Sequence, residues 1–160
     1  MAILSFLGRV NIAHRILTEC DYPNAQLYEV QATPDPPQSE GVSNVNDLDH
    51  LKCVFHTNKD GKQATIIIEE TNWGEFGPSK YVPEPWTDDR IIPWPPADDV
   101  MEPNKARDLM VNAGYGGPFT SMMFRSPESV KELKYMFAMA DHHTFVTVGS
   151  ITGQIEVEKH

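Results

Sequence analysis

Long apolar runs are missing from this chain: nothing in it approaches the roughly 18 apolar residues that a membrane-spanning helix needs. Basic residues are scarce, with 13 Lys and Arg against 23 Asp and Glu and a net charge of −10. Such a field repels phosphate backbones and anionic leaflets unless basic residues gather on one face. No basic cluster occurs along the chain, so neither nucleic acid nor a membrane surface is an expected partner. Cysteine is nearly absent. Cys20 and Cys53 cannot make a disulfide framework, and 160 residues do not need one, since a chain of this size buries roughly 68–70% of its unfolded surface. Two cysteines favour a reducing, cytoplasmic setting, and a processed secreted chain would look the same. The stretch Met1–Arg9 lacks the positive n-region and unbroken apolar core of a signal peptide. A phosphate-cradling loop is also lacking: Gly114, Gly116 and Gly117 around Tyr115 have neither the spacing nor the lysine of one.

What is present is an internal echo. When Asn11-Ile12-Ala13 is set against Asn104-Lys105-Ala106, the two stretches run without a gap through Tyr22 and Tyr115 to Thr33-Pro34 and Ser126-Pro127. The match resumes at Leu51–Phe55 against Leu133–Phe137, then at Thr65–Ile68 against Thr144–Val148. Ile3, Phe6, Leu7, Val10, Ala13, Leu17 and Cys20 recur at three- and four-residue steps, which places them on one helical face. Ala106, Leu109, Met110 and Ala113 repeat the stripe, with Pro103 suited to the first turn and Gly114 to the C-terminal cap. Alternation in Leu51, Cys53 and Phe55 predicts a half-buried strand. Asn58-Lys59-Asp60-Gly61 predicts a hairpin into the run from Ala64 to Glu70. Asp35 to His50 reads as an exposed polar loop inserted in the first copy. The expected architecture is therefore α+β: two tandem helix-plus-antiparallel-sheet units, 1–77 and 104–160, joined by a connector over 78–103.

That connector holds seven of the thirteen prolines together with Trp86 and Trp94. Its composition favours an extended, polyproline-like path, and its indole rings demand packing somewhere.

The segment Phe145-Val146-Thr147-Val148-Gly149-Ser150-Ile151-Thr152-Gly153-Gln154-Ile155 resembles the closing hairpin of the PepSY domain, a strand, a Thr-Gly turn and a second strand. The likeness covers 104–158 and, more faintly, 11–77, where Trp73-Gly74 stands in for Thr-Gly. It implies a cystatin-like helix on an antiparallel sheet, and a role in inhibiting or regulating peptidases. A tandem pair of such units is similar to the architecture of β-lactamase inhibitor proteins, in which two copies form a concave binding surface. The insert of the first copy and the Pro-Trp connector belong to neither pattern, and neither does the lack of an export signal.

No catalytic set emerges. Cys53 and His56 are three apart on a strand and point to opposite faces, a poor arrangement for a nucleophile or a shared metal ligand. His142-His143 falls in a turn, where adjacent side chains diverge. His14 lies within the helical stripe without a Glu or Cys at zinc spacing. Metal and cofactor are thus not expected, and the first reading is a non-enzymatic module that binds a protein, with peptidases implied by the resemblance. Its candidate contact residues are Trp86 and Trp94, flanked by Pro85, Pro93 and Pro95, with Asp88, Asp89 and Arg90 between them. Rigid aromatic anchors of this kind suit an interface, and equally a staple packed back across both units. An alternative reading is a small-molecule binder or enzyme whose pocket between helix and sheet includes His14 and Tyr135.

Overall fold

An amphipathic stripe must cover an apolar surface, and both helices find one on the same face of a single sheet. The computed structural model describes residues 4–86, 90–127 and 132–159. Helix α1 spans Phe6–Thr18 and helix α2 spans Pro103–Asn112. Ser5 caps α1 by accepting from the Gly8 amide at 3.1 Å, which satisfies one of the donors left over at a helix start. The buried stripe of α1 is Phe6, Arg9, Val10, Ala13 and Leu17. Cys20, expected on that stripe, lies past the helix end and is exposed; Ile3 is outside the described residues.

The strands are β1 (Gln26–Thr33), β2 (His50–Lys59), β3 (Lys62–Asn72), β4 (Glu75–Phe76), β5 (Lys80–Val82), β6 (Phe119–Arg125), β7 (Lys134–Met139), β8 (Thr144–Gly149) and β9 (Ile155–Lys159). All pair antiparallel, in the order β4-β3-β2-β1-β6-β7-β8-β9, with β5 added beside β3. Asp60 and Gly61, at φ 54° and 79°, make the tight β2–β3 turn.

This corrects the expected fold class. Among the described residues the protein is mainly β, one nine-stranded sheet carrying two short helices, and not an α+β pair of helix-plus-sheet units. The reason is the junction between β1 and β6, which pair from Glu29↔Arg125 to Ala32↔Met122. Each would otherwise be an open edge with a row of unpaired amides and carbonyls, and joining the two removes both edges at once. The junction is palindromic. Val30↔Phe124 and Ala32↔Met122 flank Gln31↔Met123 symmetrically, so a local two-fold axis through that central pair exchanges Val30 with Met122 and Ala32 with Phe124, one residue out of step with the ungapped sequence match.

Side chains on the helix-covered face form rows across the junction: Val30, Phe124, Tyr135 and Val148 in one, Ala32, Met122, Phe137 and Val146 in the next, all fully buried. Phe6 drops onto this floor with its ring 5.9 Å from both Phe124 and Tyr135. The insert is not a purely exposed loop. A short 3-10 turn at Val45–Asp47 carries Val45 and Leu48 into the core.

One ion pair is sealed under α1. Arg9 and Glu70 are both buried, and their side chains meet with Arg9 Nε donating to Glu70 Oε2 at 2.9 Å. Glu70 also accepts from the Leu51 and Gly74 amides, Arg9 donates to the Leu48 carbonyl, and the guanidinium lies 3.6 Å over the Trp73 ring. Both carboxylate oxygens and the Nε and Nη2 donors are thus engaged, which offsets the cost of burying the two charges.

Candidate functional site

The last turns of α1, the α1–β1 loop and the end of β2 enclose an open cleft of about 550 Å³, lined by His14, Thr18, Pro23, Asn24, Ala25, Gln26, His56 and Asn58. His14 is brought there by the helix: it follows the buried Ala13, so its ring stands at the rim of the core, 6.2 Å from Phe55 and 6.1 Å from Trp94. Burial lowers its pKa, because desolvation disfavours the charged form, and so it is neutral at neutral pH. His56 reaches the cleft from β2 and meets the Tyr28 ring at 5.5 Å. Its Nδ1 is buried and has no hydrogen-bond partner among the described residues. Imidazoles and side-chain amides can both donate and accept, so the lining suits a polar ligand more than an apolar one.

Tyr135 does not share this cleft. It is fully buried, stacks on Phe124 at 4.8 Å, and donates from its hydroxyl to the Met101 carbonyl at 2.8 Å; burial pushes its pKa up. It is a pillar of the core beneath α1, tied through Met101 to the segment that leads into α2. Cys53 is likewise fully buried, and its thiol is held protonated chiefly by burial and then by the nearby Glu70. His56 lies on the opposite face of the same strand, so the two form no nucleophilic pair. No cluster of three or more His, Cys, Asp or Glu able to hold a metal occurs among the described residues.

The connector is sewn to both halves. Arg90 donates its amide to the Ser126 carbonyl at 3.0 Å, Ile92 to Leu27 at 2.7 Å, and Met101 to Ser150 at 2.8 Å. Trp94 packs against the core and donates from Nε1 to Asn11 Oδ1 at 3.0 Å. Trp86 is half-buried, its Nε1 shielded from solvent with no partner among the described residues. The Arg90 side chain is exposed. Asp88 and Asp89 lie outside the described residues. Ile92, only 1% exposed, is the connector isoleucine committed to the core, and no periodicity in the sequence tells it from its exposed neighbour Ile91.

The sheet's other face carries no helix. Across it runs a row in direct register: Glu69, Lys52, Gln31, Met123, Met136, Thr147 and Glu156. The two methionines at its centre are half-buried, and the glutamates at its ends are exposed. Alternation around Leu51, Cys53 and Phe55 leaves Lys52 facing outward, but the run Met122-Met123 gives no such sign, and only the β1–β6 junction assembles the row into one surface.

No helix among the described residues is long and apolar enough to cross a membrane. No family model matches the chain, and no curated protein matches it in sequence. Among solved structures, a Clostridium difficile 630 protein provisionally described as a lipoprotein shares the fold. It superposes with a TM-score of 0.62 at 14% identity, over 100% of this chain and 96% of that one.

Proposed function

We propose that the protein is a non-catalytic binding module that engages another protein through the helix-free face of its sheet. The observation that supports this reading is the continuous row from Glu69 to Glu156, in which half-buried Met123 and Met136 sit between polar and acidic flanks. A pliable methionine centre with a polar rim is the composition of adaptable protein interfaces. Cys53, buried and held protonated, and His56, on the other face of β2, do not act together as nucleophile and base.

The resemblance of the Phe145–Ile155 hairpin to the PepSY pattern makes peptidases the first partner class to screen. Location bears on that choice. An exposed free thiol at Cys20 fits a reducing cytoplasm, whereas the description of the structural neighbour as a lipoprotein points to the cell surface; fractionation of the native cells decides between the two. The interface itself is tested by placing a photo-crosslinking residue at Thr147 or, as control, at Ile16 on the outer side of α1. A discrete adduct from Thr147 alone is the expected result. Adducts from Ile16 alone, or from neither position, would sink the proposal.

A second reading, a small-molecule site, is favoured by one observation only, the polar cleft beside His14.

A further inference from the structure

One position is filled differently in the two helices. His14 directly follows Ala13 and precedes Leu17 by three residues; Arg107 directly follows Ala106 and precedes Met110 by three, and all four of these neighbours are buried. Both helices also close alike. The Tyr22 amide donates to the Leu17 carbonyl at 2.9 Å, and the Tyr115 amide to the Met110 carbonyl at 2.8 Å. His14 and Arg107 are therefore equivalent positions, each facing the loop that leaves its helix for the next strand.

Arg107 uses that place to lodge a guanidinium. Its Nη1 donates to the Tyr115 carbonyl at 3.2 Å, and its Nη2 to Gly116 at 3.1 Å and Gly117 at 3.0 Å. Nε reaches the Ser43 carbonyl at 3.4 Å, and the Phe119 ring lies 4.8 Å away. Four of the fork's five N–H donors meet diverging carbonyls, a task to which a planar guanidinium is better suited than an ammonium.

In the first half the shorter, neutral imidazole of His14 leaves the equivalent place as the 550 Å³ cleft. Its wall is the equivalent loop, Pro23 and Asn24, supplemented by Gln26, His56 and Asn58. The Tyr22 carbonyl is already taken by the Ala25 amide at 3.0 Å. The acceptors on offer are thus the remaining loop carbonyls, three side-chain amide oxygens and imidazole nitrogen. A chain of net charge −10 adds a field that draws cations in.

We propose that the His14 cleft binds a guanidinium group supplied from outside the chain, in the place that Arg107 fills in the other half. The ligand is free arginine or a similar guanidine, or an arginine side chain of a protein. The cleft lies at the far end of β2 from the row between Glu69 and Glu156, so either can fail alone.

The test is an amide-resolved NMR titration of the full chain with N-acetyl-arginine methylamide, its lysine and citrulline counterparts, and a short arginine-containing peptide. Saturable shifts confined to the amides of His14, Asn24, Gln26 and His56 are expected with the arginine compound. Citrulline, which keeps the shape and loses the charge, should bind at least about tenfold more weakly, as loss of a charge-assisted fork requires. Tighter binding of the peptide than of blocked arginine assigns the ligand to a protein; equal binding assigns it to a free guanidine. His14→Arg should supply the guanidinium internally and abolish binding. Asn58→Lys, at an exposed position, should do the same by repulsion should His14→Arg not fold. Equal affinity for citrulline, shifts elsewhere, no saturation, or binding unchanged in the folded variants would overturn the proposal.

Discussion

Arg9 and Glu70 show how a single residue can be strongly needed without adding much net stability. Each satisfies the other inside a closed set of acceptors and donors. Arg9→Met or Glu70→Gln alone leaves a buried charge or carbonyl set uncompensated, and should lower unfolding free energy by about 3–5 kcal/mol in urea melts. The double variant Arg9→Met, Glu70→Gln should cost clearly less than the sum of the two single losses, a non-additivity that a double-mutant cycle reads directly. Two titrating residues give pH signatures of known sign. Asp141 accepts from the His143 and Thr144 amides and from the Thr144 hydroxyl, and these bonds hold its pKa down to about 2 from 3.8. Its stabilisation is complete above 3.8 and disappears as pH falls toward 2, and Asp141→Asn should flatten that part of the acid limb. His14 has its pKa lowered by burial, so the unfolded chain takes up its proton first. Stability should therefore decline as pH drops below 6.5, and His14→Gln should reduce the decline.

At the scale of elements, periodicity made most of the secondary structure legible. The stripe from Phe6 to Leu17 specified α1, the Pro103 and Gly114 punctuation bounded α2, and alternation around Leu51, Cys53 and Phe55 marked β2. What periodicity could not convey is which edge meets which. The β1–β6 pairing joins residues far apart in sequence and is decided by the removal of two open edges, a global condition that leaves no local trace. Tyr135 was misplaced in a pocket for a related reason, since its hydroxyl partner is the Met101 carbonyl on a distant loop. The candidate cleft was half legible: His14 stood out on the helix, but His56, Asn24 and Asn58 converge on it only in three dimensions. The connector behaves as structure. Ile92→Ala should cost about 2–5 kcal/mol, as for other fully buried aliphatic truncations. Trp94→Phe, which removes the bond to Asn11, should cost about 1 kcal/mol. Thermal and urea denaturation check both, and a neutral result for Ile92→Ala would mean that the connector is not seated in the core.

For the molecule as a whole, the palindromic junction at β1 and β6 has a consequence for its engineering. A strand edge that pairs with its counterpart about a two-fold axis has the backbone geometry to pair with a second identical copy. The junction thus has the form of a two-fold dimer contact, made here within one chain and one sheet. The two sides of that contact differ position by position, as at His14 and Arg107. Severed within the connector and expressed as two polypeptides, the pieces should find each other and sediment as a heterodimer, while the N-terminal piece alone should sediment as a self-paired dimer.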